Sequence, residues 1–265
     1  MQGGKIERRI NEALGEKGAL LFMLIDPVDY KDSATAVKTG REAAEAGADV
    51  LLIGGSTGVQ GTLLDNVTNE LKEQTDVPIV LFPGNIATLT KNADAVYFMS
   101  LLNARNPYWI TQAQMLSAPL IREYGIEPLP VGYIVVSPGG TVGWVGDVNL
   151  VPREKPKIAA SLALAGEYLG NRFIVTDVGS NPQKQGKGAV PLDMVRAVKS
   201  SINVPYIVAG GIRDSTTLSN VIKNGADIVQ IGTAIEQSSS AKKIAASFCK
   251  TVHEEGRKKL RIYKK

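Results

Sequence analysis

Histidine and cysteine are each used once in this chain of 265 residues. With only His253 and Cys249 available, no zinc cluster of His and Cys can form, and no Ser/His or Cys/His pair can serve as a nucleophile. His253 is far in sequence from any strand end and reads as a surface or packing residue. A general base, if the chain uses one, must be a carboxylate. The lone cysteine also excludes an intramolecular disulfide. No apolar stretch is long enough to span a bilayer, and no charged n-region leads into an apolar h-region, so the expected location is the cytoplasm. Aromatic residues make up only 6%, but 44% of the chain is apolar, as in an ordinary globular enzyme. Gly186-Lys187-Gly188 resembles a fragment of a P-loop without the G-x-x-x-x-G-K-[ST] spacing, which argues against nucleotide hydrolysis.

Charge is close to balanced: 30 Lys and Arg against 26 Asp and Glu give a formal +4. Part of the excess lies in the basic tail at residues 257–265, which reads as a solvated helix end. A weaker reading of that tail is attraction to anionic lipid or to an anionic substrate. No nucleic-acid partner is expected.

What the sequence does contain is alternation. Apolar runs at residues 19–25, 49–53, 77–82, 95–99, 127–136, 172–177, 205–209 and 227–231 read as buried parallel strands. Most are separated by patterns with apolar residues three and four apart, the signature of an amphipathic crossover helix. Eight such repeats in one domain, residues 1–265, predict an α/β fold, a (β/α)8 TIM barrel, close to the roughly 250 residues typical of that architecture. Residues 83–94 leave little room for a helix between strands 3 and 4. That helix is expected to be missing or reduced, which would open a gap in the outer ring wide enough for a long ligand.

In such a barrel the chemistry gathers at the C-terminal ends of the strands. Gly210-Gly211 after strand 7 and Gly232-Thr233 after strand 8 let backbone N–H groups approach an anion, and this pair of loops commonly holds a phosphate. Asp26 closes strand 1 and either caps the next turn or, with the Ser56 hydroxyl after strand 2, offers hard oxygen ligands. So sparse a set suits Mg²⁺, which keeps several waters and takes other ligands from substrate phosphates. Asp177, at the end of strand 6, is the best placed carboxylate for a general base.

Leu24-Ile25-Asp26-Pro27, Ile53-Gly54-Gly55-Ser56-Thr57, Phe82-Pro83-Gly84-Asn85, Phe98-Met99-Ser100-Leu101-Leu102-Asn103, Gly132-Tyr133-Ile134-Val135, Ala209-Gly210-Gly211-Ile212 and Gly232-Thr233 together resemble the geranylgeranylglyceryl phosphate synthases. The resemblance runs from about residue 19 to residue 237. It implies an archaeal ether-lipid enzyme that joins the 3-hydroxyl of sn-glycerol 1-phosphate to C1 of geranylgeranyl diphosphate and releases diphosphate with Mg²⁺. It also implies that Asp26 and Ser56 occupy the metal positions. Val175, Thr176, Asp177, Val178, Gly179, Ser180, Asn181, Gly210, Gly211, Gly232 and Thr233 would contact glycerol phosphate.

The chain departs from the family pattern at strand 6, which usually ends in a Tyr-Leu-Glu-Ala-Gly-Ser-Gly-like run. Here Val175 replaces the tyrosine, Asp177 the glutamate and Asn181 the last glycine, so the expected base is one methylene shorter. Leu24 stands where many relatives carry lysine, which favours the branch that often assembles beyond a dimer. A homo-oligomer larger than a dimer is expected. Trp144, in the glycine-dense loop at residues 139–146, is expected either to anchor an interface or to fold back over the barrel rim. Leu101, Leu102, Tyr108 and Trp109 are candidates to line a prenyl channel. Two other readings are a phosphate-binding isomerase barrel, which would need a second carboxylate from strand 5, and a non-catalytic phosphate-binding scaffold.

Overall fold

The computed structural model describes residues 3–238 and 240–263; Lys264 and Lys265, at the end of the basic tail, lie outside the described residues. Eight strands close a parallel barrel in sequence order: β1 (Leu20–Ile25), β2 (Val50–Gly55), β3 (Ile79–Pro83), β4 (Ala95–Leu101), β5 (Glu127–Val135), β6 (Phe173–Asp177), β7 (Tyr206–Ala209) and β8 (Ile228–Ile231). Each coincides with a predicted run to within two residues at either end.

The two-residue strand period sorts the apolar residues into two cores. Leu20, Phe22, Val50, Leu52, Val131 and Val175 fill the barrel. Leu21, Met23, Leu51, Ile53, Ile174 and Val208 face outward against the helices. The same parity decides which side chains can reach the active end. Asp26 follows Phe22 inward, Asp177 follows Phe173 and Val175, and Tyr133 follows Val131.

The surrounding helices are α1 (Lys5–Lys17), α2 (Ser33–Glu45), α3 (Gly61–Gln74), α4 (Gln112–Tyr124), α5 (Gly140–Val145), α6 (Pro156–Tyr168), α7 (Leu192–Lys199), α8 (Ser215–Lys223), α9 (Thr233–Glu236) and α10 (Ala241–Tyr263). Residues 84–94, between β3 and β4, form only turns and irregular chain, so the expected gap in the helical ring is present. The glycine-rich stretch after β5, read as a loop, instead contains the short helix α5.

The barrel's N-terminal mouth is closed by α1, whose Ile6 and Ile10 join the inner core. Glu127 accepts from the N–H groups of Ile6 and Glu7 at 2.7 and 2.9 Å, satisfying donors that the first turn of α1 leaves free. A repeated Ala-Asp pair then staples neighbouring strands at this end. Asp49, Asp94 and Asp227 each accept a backbone N–H from the preceding strand, at Leu21, Ile79 and Tyr206. Each also pairs with lysine: Lys17 with Asp49, Lys72 with Asp94, and Lys199 and Lys259 with Asp227. Lys258 pairs with Glu255, so two bases of the predicted solvated tail are engaged in ion pairs. His253 packs here too, its Nε2 lying 3.1 Å from Asp49.

Candidate active site

At the opposite end, a cavity of about 180 Å³ opens to solvent. Its polar part is bounded by Asp26, Ser56, Asp177, Gly210 and Thr233. Its apolar part takes in both faces of β4: Tyr97 and Leu101 point into the barrel, whereas Val96 and Phe98 look outward. Leu89 and Ile121 of α4 continue the wall on that outer side. The cavity therefore runs over the barrel rim into the space that a helix between β3 and β4 would have filled.

Asp177 is buried, and both of its carboxylate oxygens are held. Oδ2 accepts the Tyr133 hydroxyl at 2.5 Å and Oδ1 accepts the Gly179 N–H at 2.7 Å. Burial raises the pKa of this carboxyl above the usual range, against the opposing pull of those two hydrogen bonds. Gly210 is required beside it: its φ is +80°, and a Cβ there would lie 2.5 Å from Oδ1. Tyr133 is fully buried and belongs to an aromatic wall in which Phe82 stacks on it at 5.9 Å and meets Tyr97 edge-on at 5.6 Å.

Asp26 occupies the cap position of the turn after β1, but its side chain makes no cap hydrogen bond. Its Oδ1 is buried without a partner. A Cβ on Gly55 would sit 2.5 Å from both carboxylate oxygens, so glycine at that point keeps the space around them open. Burial and the nearby charge of Asp29 push the carboxyl up to about 7. Glu236, at the end of α9, is pushed up to about 8 by burial and the charges of Asp29 and Asp26, with Arg213 opposing. Among the described residues, no three His, Cys, Asp or Glu side chains converge as a metal-binding group.

The cavity brings together Asp26, Ser56, Asp177, Gly179, Ser180, Gly210, Gly232 and Thr233 from the predicted set. Val175, Thr176 and Val178 are fully buried, and the Thr176 hydroxyl is 2.6 Å from that of Tyr206 in the outer layer. Asn181 and Gly211 are half-buried and do not line the cavity. Leu101 and Trp109 line the apolar part; Leu102 and Tyr108 do not, contrary to expectation. Leu102 points outward, where its Cδ1 approaches Gly132 and Gly166, and the Tyr108 ring packs edge-on against Trp109 at 5.0 Å. Trp144 is 87% exposed and leaves the cavity to Val142, Val145 and Gly146, which overturns the rim-cover reading. At its C-terminal end β5 supplies Tyr133 and no carboxylate, so the second acid facing Asp26 from that strand, which the isomerase reading needs, is missing.

Sequence reasoning assigned no role to Tyr133 or to Gln230, a buried β8 side chain whose Oε1 has no partner. Strand parity is the signal that finds both. Arg213 was also missed.

The profile of the PcrB family matches residues 16–251. The chain is 50% identical over 237 residues to a geranylgeranylglyceryl phosphate synthase of Pyrococcus horikoshii, covering 89% of this chain and 91% of that one. It is 44% identical over 251 residues to one from Methanothrix thermoacetophila, covering 94% and 96% of the two chains. The crystal structure of (S)-3-O-geranylgeranylglyceryl phosphate synthase from Thermoplasma acidophilum, solved with its substrate sn-glycerol-1-phosphate, superposes with a TM-score of 0.87 at 32% identity over 96% of this chain and all of that one.

Proposed function

The chain belongs to the PcrB family, and we infer from that membership that it is a prenyltransferase joining the 3-hydroxyl of sn-glycerol 1-phosphate to geranylgeranyl diphosphate, with release of diphosphate, in archaeal ether-lipid synthesis. The observation that carries the reading is the cavity itself, in which a carboxylate pair and glycine loops open directly onto an apolar passage. A substrate with one phosphate and a second with a diphosphate head and a long tail need that combination.

Fixed by its phosphate among the loops after β6, β7 and β8, the glycerol would present its 3-hydroxyl to Asp177, which accepts the proton as the oxygen attacks C1. Tyr133 and the Gly179 N–H hold the short carboxylate in place, and positioning supplies much of the rate gain. The aromatic wall of Phe82, Tyr97 and Tyr133 faces the region where positive charge spreads over the allyl unit. The prenyl tail would run past Leu101, Trp109 and Ile121.

Asp26 and Ser56 would hold Mg²⁺. The unpartnered Asp26 Oδ1 and the open space at Gly55 fit a cation bound by few protein ligands. The chemistry it supplies when bound is neutralisation of charge building on the departing diphosphate. An oligomer larger than a dimer, with the exposed Trp144 as an interface anchor, fits the same reading. So do a cytoplasmic location and peripheral contact of Arg257 and Arg261 with anionic lipid. No described helix is long and apolar enough to cross a membrane.

The decisive experiment incubates the purified chain with each glycerol phosphate enantiomer and with prenyl diphosphates of increasing length. The expected product is a prenyl ether of sn-glycerol 1-phosphate with the geranylgeranyl donor preferred. Absence of any ether product would overturn the reading.

A further inference from the structure

The loops after β6 and β8 flank the candidate phosphate site from either side, and β7 separates their strands. A guanidinium joins them. From the loop after β7, Arg213 donates through Nη1 to the Thr233 carbonyl at 3.1 Å and to Gln237 Oε1 at 3.0 Å. Through Nη2 it donates to Asn181 Oδ1, in the loop after β6. Gln237 Nε2 also approaches Asn181 Oδ1, at 3.5 Å.

Asn181 sits in the left-handed region with φ 53° and ψ 44°, where glycine or asparagine is at ease. A glycine would keep that backbone and lose the acceptor. At the other end, the Thr233 carbonyl that the guanidinium holds also accepts the Gln237 N–H at 3.2 Å, so Arg213 ties the start of α9, and the Gly232-Thr233 step that leads into it, to the loop after β6. Arginine suits this task because its planar fork fixes two directions at once, which a lysine ammonium cannot do.

We propose that Arg213 is a positioning residue for glycerol phosphate, clamping the loops after β6 and β8 through Asn181 and Thr233 so that their N–H groups stay aimed at the phosphate. The proposal rests on the reading that these loops bind the phosphate of the acceptor substrate. Arg213 does not line the cavity and acts through the loops it holds.

The test uses the full chain and four proteins: wild type, Arg213→Gln, Arg213→Lys and Asn181→Gly. Calorimetry gives the affinity for inorganic phosphate and for sn-glycerol 1-phosphate, and steady-state assays give the KM of each substrate and kcat. In Arg213→Gln, the KM and Kd for glycerol phosphate should rise about tenfold to a hundredfold as charge-assisted hydrogen bonds are lost. The prenyl diphosphate KM should hold, and kcat at saturation should stay within about threefold, since a loss of substrate binding appears in KM. Arg213→Lys should fail to restore affinity, and Asn181→Gly should weaken it about three- to tenfold with a single hydrogen bond removed. An unchanged glycerol phosphate KM in Arg213→Gln, full rescue by lysine, or an equal rise in both KM values would overturn the clamp. If Arg213→Gln does not fold, Asn181→Gly decides, and unchanged affinity there overturns it as well. Wild type that binds neither phosphate probe would bring down the phosphate reading itself, whereas wild-type binding with unaltered variants removes only the clamp.

Discussion

Replacing Asp177 by asparagine isolates chemistry from structure. In the native site Oδ1 accepts the Gly179 N–H and Oδ2 accepts the Tyr133 hydroxyl. An asparagine can keep both links: its oxygen still takes the Gly179 N–H, and its amide donates to the Tyr133 oxygen, whose proton rotates away. The displaced proton of the buried Tyr133 hydroxyl then loses the acceptor it has in Oδ2, a cost of about 1 kcal/mol. Burial of the native carboxylate holds its pKa above the ordinary value. For an acid with a raised folded pKa, the folded state retains a proton that the unfolded state gives up, so ionisation opposes folding as pH rises through that window. The neutral amide removes this opposition, which offsets the lost Tyr133 hydrogen bond, so melting at pH 7 should change little.

Activity should move the other way. Loss of a positioned general base costs about 10²–10⁴ in rate, which is about 3–5 kcal/mol of barrier at ~1.36 kcal/mol per tenfold. Rapid-quench single turnovers with saturating glycerol phosphate read this directly, and calorimetry should show glycerol phosphate affinity little changed. Asp177→Glu carries the residue that the family resemblance leads one to expect, yet its extra methylene has to be accommodated where Gly210 already crowds Oδ1. It should fall between wild type and Asp177→Asn. Near-normal turnover in the asparagine variant removes Asp177 from the mechanism, and a large loss of melting temperature would refute the hydrogen-bond reasoning.

The remaining expectations are more local. Asp26→Ala should abolish Mg²⁺-dependent binding of prenyl diphosphate while Ser56→Ala only weakens it; titrations with and without Mg²⁺ check this, and an unchanged Mg²⁺ enhancement in Asp26→Ala sinks the assignment. Trp109→Ala should extend the accepted tail, because one isoprene unit of five buried carbons is worth up to ~4 kcal/mol at ~0.8 kcal/mol each. Tyr108→Ala should matter much less, and product analysis with longer diphosphates would contradict this reading if the two variants behaved alike. Trp144→Ala should give a smaller particle by light scattering that retains activity; unchanged mass removes the tryptophan from any interface. Asp49→Ala leaves the Leu21 N–H, Lys17 and His253 without their carboxylate and should cost about 2–4 kcal/mol in urea unfolding. Burial opposes the Asp49 charge, but His253, Lys17 and the Leu21 N–H hold its pKa below the ordinary range. Its contribution is therefore full above about pH 4 and fades as pH falls further, so the stability gap between wild type and variant should close in acid.

The strands were legible because each is buried on both faces and reads as a nearly continuous apolar run, and the missing helix was legible from residue count alone. Both follow from chain geometry. The staples at the N-terminal mouth were not read, although Ala48-Asp49, Ala93-Asp94 and Ala226-Asp227 repeat in plain view. An aspartate before a strand looks like a turn residue until strand register brings it beside the neighbouring N–H. The stretch around Trp144 reads as a loop because its glycines are dense. Yet those glycines sit largely at the ends of α5, and Val142 and Val145 gain burial by facing the cavity.

The site divides along the same line. Residues that end strands, such as Asp26 and Asp177, announce themselves because a charge after an apolar run needs a reason. Tyr133 gives no such signal: inside an apolar run it passes for core, and its role appears only when β5 pairs with β6 in register and sets it against Asp177. Leu101 and Leu102 show the limit most clearly. They are chemically identical neighbours, and only the alternation of β4 sends the first to the cavity and the second to the helices. Arg213 lies one step further out, since its three partners come from loops far apart in sequence. What composition and spacing can identify are groups whose chemistry is unusual for their position, whereas groups that act by holding others become visible only in three dimensions.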